Sequence, residues 1–303
     1  MREYNNPLIL PNEKHNTSDP FVTYHNGFYY HLYNGIDGLY ISKFNEFADI
    51  DSGELTNVYP LADNEGKEWY APELHRIGDT WYIYVSPDYG NWSHQMTVLK
   101  LQGDSPIGIY ENLGVIKGLE GEWAIDGTVF EYESRWYFIW TFGDGTLSMQ
   151  EMLSPNELNV NSERILLTKA ELPFETITEG KVIEGPAVLK KGNKIHVIYS
   201  ANDSRYDAYC LGRLTYNGGD ILDVSNWEKH SECVFESSDT VFGPGHCSFT
   251  IDTREDFCDD YMVFHANLES GSGWKGRCVF VQKFIWDKDD NPVFGKPQIG
   301  SVR

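Results

Sequence analysis

Three acidic residues open three similar stretches of this chain: Asp19 in Ser18-Asp19-Pro20-Phe21-Val22, Asp126 in Ile125-Asp126-Gly127-Thr128-Val129, and Glu184 in Glu184-Gly185-Pro186-Ala187-Val188. Several carboxylates around a neutral pocket suit glycoside cleavage. One carboxyl protonates the leaving oxygen while another activates water or attacks the sugar. The acid must stay protonated near neutral pH, so burial or a neighbouring carboxylate has to raise its pKa. Aromatic rings supply flat apolar faces for sugar C–H bonds. Trp69-Tyr70 stands just before Glu73, and Trp123 stands three residues before Asp126. Each of these rings suits either sugar stacking or packing inside the protein.

The elements that must position these groups repeat. After each acid come an apolar run, a turn and a second apolar run rich in aromatics, such as Trp136-Tyr137-Phe138-Ile139-Trp140. Two further copies start at Ala71-Pro72-Glu73-Leu74 and Gly245-His246-Cys247-Ser248-Phe249. The anchors Asp19, Glu73, Asp126, Glu184 and His246 are separated by 54, 53, 58 and 62 residues. A strand-rich repeat of that length predicts an all-β radial array, a five-bladed β-propeller. Each anchor precedes its aromatic run by 8 to 15 residues, at the start of the first strand of a hairpin. The innermost strands of a propeller run the same way around the axis, so all five anchors are expected at one mouth of the channel.

Polar, Gly-bearing links at Tyr24-His25-Asn26-Gly27, Arg76-Ile77-Gly78-Asp79 and Lys190-Lys191-Gly192-Asn193 read as hairpin turns. The stretch from Leu153 to Thr178 reads as outer strands and loops, and Asp223 with Ser225 suggests a short helical turn near Leu222 to Trp227. No low-complexity linker divides the chain, so one catalytic propeller over residues 1–303 is expected.

The net charge of −22 argues against nucleic acid as a partner, since backbone binding needs basic surface. No run approaches 18 apolar residues, so no membrane span is expected. The five cysteines at 210, 233, 247, 258 and 278 show neither zinc spacing nor a disulfide framework, and read as free thiols. The segment from Met1 to Pro7 lacks the apolar core of a secretory signal, which gives a cytoplasmic expectation.

Asp19-Pro20, Trp69-Tyr70-Ala71-Pro72-Glu73-Leu74-His75, Ala124-Ile125-Asp126-Gly127-Thr128, Glu184-Gly185-Pro186, Gly243-Pro244-Gly245-His246 and Phe294-Gly295-Lys296-Pro297 together resemble family 43 of the glycoside hydrolases. The likeness covers nearly the whole chain in the family's order. It implies a five-bladed β-propeller that hydrolyses with inversion, with Asp19 as general base, Glu184 as general acid, and Asp126 as the residue that orients the acid and raises its pKa. Trp69, Tyr70, Glu73, Trp92, Trp123 and Arg277 would then be the substrate contacts, although Glu73 matches a position the family does not use as a primary catalyst. Arg277 suits an exposed ion-pair partner equally well, and Phe280 stands where a second basic residue is common in the family.

His246 matches a histidine that in many members touches an axial metal, commonly calcium, directly or through water; a histidine hydrogen-bonded within the channel is the other reading. No cofactor is needed for the chemistry. Asn91-Trp92-Ser93-His94-Gln95-Met96, Gly143-Asp144-Gly145 and Val241-Phe242-Gly243-Pro244-Gly245-His246 look most like the α-L-arabinofuranosidase branch. Exo-cleavage of terminal L-arabinofuranose from oligosaccharides is the expectation, with β-D-xylosidase next and a non-catalytic sugar-binding or interaction propeller as the reading outside enzymes.

Overall fold

Each of the five hairpins forms the inner half of an antiparallel blade. The structure is a computed structural model describing residues 4–11, 16–62, 68–90, 92–252 and 259–302. Its innermost strands are Phe21–His25, Glu68–Ile77, Ala124–Tyr132, Ile183–Lys191 and Phe242–Asp252. Each touches the next, and Phe242–Asp252 returns to Phe21–His25, which closes a five-bladed β-propeller. A short antiparallel pair, Tyr4–Asn6 with Gly300–Val302, lies outside the ring. The Asn6 amide brackets Val281, donating to its carbonyl and accepting from its N–H, and so straps this segment to the fifth blade.

The aromatic runs are the second strands: Phe28–Asn34, Thr80–Asp88, Arg135–Phe142, Lys194–Ala201 and Asp259–Asn267. Side chains alternate across a strand, so each run feeds two interfaces. Among the described residues the buried apolar side chains form five clusters, one between each pair of neighbouring blades. Tyr137 and Ile139 face the fourth blade, while Phe138 and Trp140 on the same strand face the second. Burying one such side chain contributes about 1.5–3 kcal/mol, so every blade is held from both sides.

The turn chemistry follows the sequence. Asn26 and Gly27 close a two-residue hairpin with φ of 49° and 87°, the pair of left-handed residues that matches strand twist. Between Leu153 and Thr178, strands Glu157–Leu158 and Ile165–Thr168 both pair with Thr146–Ser154, giving the third blade a fifth strand. The expected turn near Leu222 is a 3-10 helix over Val224–Asn226, where the Asp223 carboxylate accepts the Ser225 N–H at 2.9 Å. Among the described residues the four cysteines are free; Cys258, Asn91 and the Met1 to Glu3 start lie outside them.

Candidate active site

One backbone position recurs at the same mouth of the channel in all five blades. Asp19, Ala71, Asp126, Gly185 and His246 have φ of 50°, 44°, 56°, 56° and 43°. In blades two to five the ladder between the inner strands shifts there, between Tyr70 and Glu73, Ile125 and Thr128, Glu184 and Ala187, and Gly245 and Ser248. A bulge bends its strand and re-aims a side chain. Left-handed backbone costs a non-glycine residue about 1–2 kcal/mol, and such strain gathers at functional sites. The repeat that the sequence shows as acids is therefore a backbone repeat, and its occupants differ. Glu184 precedes the position by one residue and Glu73 follows it by two.

His246 gathers the occupants. Its Nδ1 lies 3.2 Å from Asp19 Oδ1 and 3.9 Å from Asp126 Oδ2. The Gly185 N–H donates to Asp126 Oδ2 at 3.1 Å. The glycine is required: a Cβ at residue 185 would stand 3.0 Å from the His246 ring. Asp19 is fixed from the fifth blade, where its N–H donates to His265 Nδ1 at 3.0 Å. Arg277 Nη1 lies 3.8 Å from Asp19 Oδ1, and the guanidinium is held by Ser18 Oγ at 2.9 Å and the Ser204 carbonyl at 3.3 Å. Arg277 is thus buried beside Asp19 and is no exposed surface partner. Glu184 Oε1 accepts the Tyr209 hydroxyl at 2.8 Å.

These contacts divide the carboxylates electrostatically. Burial works against an Asp19 anion, yet His246 and Arg277 hold its carboxyl well below the ordinary range. Burial raises Asp126 to about 7 against the opposing His246, and the Glu184 and Asp19 charges add to the rise. Glu184 is also raised, by burial first and by Asp19, against the Tyr209 hydrogen bond and His246. Burial disfavours a charged His246, but Asp19, Asp126, Glu184 and Glu73 overcome it and raise the ring above its ordinary pKa. Burial and Arg277 push His265 down to about 3, so that ring is neutral. The site therefore holds one secure anion beside a pair of carboxyls that retain a proton, the division that acid–base catalysis needs. Buried carboxylate alone is not the signal. Glu175 is fully buried too, but its oxygens are saturated by the N–H groups of Glu171 and Leu172, the Tyr199 hydroxyl and Lys229.

The expected substrate contacts divide. Tyr70, Trp92 and Trp123 surround the buried His94, with ring centroids 5.0, 5.9 and 5.4 Å from it. Trp123 Nε1 donates to the Trp92 carbonyl at 2.7 Å, and Trp92 is 61% exposed, which makes an aromatic wall at the mouth. Trp69 does not belong to it. Strand alternation turns its ring inward against Tyr59, and at 1% exposure it is core between the first two blades. Glu73 is also displaced, because the bulge at Ala71 carries it past the mouth. It accepts from His75 Nε2 at 2.7 Å and faces a cavity of about 490 Å³ lower in the channel, lined by Phe21, Thr128, Ala187 and Ser248 among others.

Sequence reasoning missed Tyr209 and His265, whose partners are far away in the chain, and met His94 only as part of the Asn91 to Met96 segment. It also missed Trp274, exposed beside Arg277, with Nε1 donating to Ser204 Oγ at 3.1 Å.

The metal expectation at His246 is a contact made directly or through water. Calcium takes roughly six to eight oxygen ligands, and His246 turns Nδ1 to Asp19, so Nε2 is the ring atom that would meet an ion or its water. Among the described residues no group of three or more His, Cys, Asp or Glu side chains is placed to hold a metal ion.

Comparison with known proteins finds relatives of the chain and of its fold. An extracellular exo-α-(1→5)-L-arabinofuranosidase of Streptomyces avermitilis is 29% identical over 320 residues, covering 99% of this chain and 64% of that protein. A protein of the same description from Streptomyces chartreusis is 30% identical over 281 residues, 87% of this chain and 82% of it. The chain thus spans about two thirds of the first relative's length and four fifths of the second's. The crystal structure of an α-L-arabinofuranosidase from Lactobacillus brevis matches with a TM-score of 0.87 at 28% identity, covering 98% of this chain and 97% of that one. The cytoplasmic expectation is corrected here. Both Streptomyces relatives are described as extracellular, and the lack of an apolar run at the start of this sequence is no guide to compartment. Residues 4–292 match the description Glycosyl hydrolases family 43, and the chain belongs to that family.

Proposed function

We propose that this member of the family is an inverting exo-α-L-arabinofuranosidase that releases terminal L-arabinofuranose from arabino-oligosaccharides or arabinoxylan fragments. Asp19 acts as general base, Glu184 as general acid, and Asp126 as the group that orients the acid and keeps its pKa high. The observation that carries the reading is the unequal charge of the three carboxyls. Asp19 is held ionised by His246 and Arg277, while burial and like charge keep a proton on the Asp126–Glu184 pair. An anion takes the proton of a water, the protonated partner gives one to the departing oxygen, and the two roles reset by solvent exchange. In an inverting reaction the base and acid stand roughly 6.5–9.5 Å apart to admit the water.

The choice of sugar is supported by the names of the relatives, and the Tyr70–Trp92–Trp123 wall offers ring faces for a bound sugar. A panel of aryl glycosides tests it: turnover of the α-L-arabinofuranoside above the β-D-xyloside is expected, and the reverse order would make the protein a xylosidase. Proton NMR of the first-formed sugar should show inverted configuration. No turnover of any aryl glycoside would leave a binding propeller.

A further inference from the structure

We propose that Tyr209 is a positioning residue that fixes which oxygen of Glu184 carries the catalytic proton, as the last link of a one-way hydrogen-bond chain that starts at the backbone of His246. The inference rests on the reading of Glu184 as the acid. A backbone N–H can only donate, and that of His246 donates to Ser200 Oγ at 2.8 Å. With its oxygen accepting there, the Ser200 hydroxyl keeps its own proton for a second partner, and the Tyr209 oxygen is the one that feels it. Tyr209 in turn donates to Glu184 Oε1 at 2.8 Å. Every hydroxyl in the chain points the same way, and each donation polarises the next. Glu184 Oε1 therefore receives a hydrogen bond in both protonation states, and the acid's own proton resides on Oε2, the oxygen left for substrate.

The ring that delivers this bond has no freedom to move. Tyr209 is fully buried. On one side it stacks on His265, with centroids 5.7 Å apart and planes 4° from parallel. Its Cδ1–Cε1 edge lies over Gly245, the cross-strand partner of His265, where a Cβ would stand 2.2 Å from the ring, so only glycine fits. Burial and the Glu184 charge keep the phenol from ionising, so it remains a donor at every working pH. His265, the stacking partner, accepts the Asp19 N–H. A single rigid stack thus sets the oxygen of the acid and the backbone of the base in one frame. Ser200 also faces Glu184 directly across the inner strand pair, which keeps the chain short.

The test is Tyr209→Phe, with Ser200→Ala as a milder second variant and Glu184→Gln in parallel. Each is assayed on an arabino-oligosaccharide and on an aryl arabinofuranoside with a good leaving group, with pH profiles and melting temperatures. The Tyr209 bond favours the Glu184 anion, so its loss raises the acid's pKa. The basic limb of kcat/KM should move up by about one pH unit. On the oligosaccharide kcat should fall a few-fold, since about half of the protons then sit on the wrong oxygen and the acid is weaker, and the activated substrate should be nearly spared. Ser200→Ala should move the limb in the same direction by less.

A uniform loss on both substrates with an unmoved or lowered limb would make Tyr209 a packing residue and overturn the proposal. Should Tyr209→Phe fail to fold, an unmoved limb in Ser200→Ala overturns it equally. If Glu184→Gln itself shows no dependence on the leaving group, the acid assignment is what has failed.

Discussion

Replacing Gly185 by alanine puts the axial geometry under a graded load. Its φ of 56° is left-handed, which costs an L-residue about 1–2 kcal/mol. The new methyl would also stand 3.0 Å from Cγ and Nδ1 of His246. That ring is buried and held by Asp19 at 3.2 Å, so it yields only by stretching the contact that charges the base. Overfilling of this kind costs about 1–3 kcal/mol, which makes the sum about 2–5 kcal/mol.

At an unfolding entropy of about 2.1 cal/mol/K per residue, a 303-residue fold loses roughly 1.6 °C for each kcal/mol, so Tm should drop by about 3–8 °C. A displacement of a few tenths of an ångström at Asp19 should lower kcat/KM by about tenfold, against roughly a hundredfold for a full ångström. Gly78 is the control. Its φ is 61°, and nothing lies within 4 Å of a Cβ there, so Gly78→Ala carries the backbone strain without the clash. Scanning calorimetry and aryl-glycoside kinetics on both variants isolate the His246 contact. Equal Tm losses in the two, with wild-type kcat/KM in Gly185→Ala, would refute the claim that the ring has no room.

Three other outcomes follow from the same contacts. Glu184→Gln should lose about 10²–10⁴-fold on an oligosaccharide and far less on an activated aryl arabinofuranoside, whereas Asp19→Asn should cripple both; the opposite pattern in those kinetics would interchange acid and base. Asp126→Asn removes a like charge from the pair, so the upper pKa falls and the basic limb of the pH–rate profile should move to lower pH, with an unmoved limb counting against the coupling. The His246 pKa is raised in the folded protein, so its ion pairing stabilises fully below the unfolded value of about 6.5 and is lost as pH rises through the raised one. Urea midpoints should decline over that alkaline range in the wild type, and His246→Gln should remove that part of the decline.

The sequence exposed the propeller because its signals are local. An acid or glycine before an apolar run, a two-residue turn such as Asn26-Gly27 and an aromatic strand all lie within about 20 residues. The site was legible where a repeat position carries a chemical side chain, as at Asp19, Asp126 and His246. Blade two was misread because its repeat position holds Ala71, which has no chemistry to notice, and the nearby Glu73 drew the eye. Trp69 and Tyr70 are adjacent aromatics on one strand and face opposite ways; composition cannot say which faces the core, but the register against Pro87 and Ser86 does. Tyr209 and His265 meet Glu184 and Asp19 only through folding, from 25 and 246 residues away, and no spacing rule reaches that far.

The recurring left-handed position makes a symmetric frame with five separately writable addresses. Its current inscription is acid, methyl, acid, hydrogen, imidazole, and every difference between the blades at the mouth starts from that string. Chemistry can then diversify one letter at a time wherever the neighbouring occupants leave room. Ala71 is the open letter. Its backbone already holds an L-residue at φ 44°, so a longer side chain introduced there inherits an aim toward the axis with no further backbone strain. Gly185 is the opposite case, a letter erased so that its neighbour His246 can occupy the centre. A scaffold of this kind changes its reaction by rewriting occupants and keeps its architecture throughout.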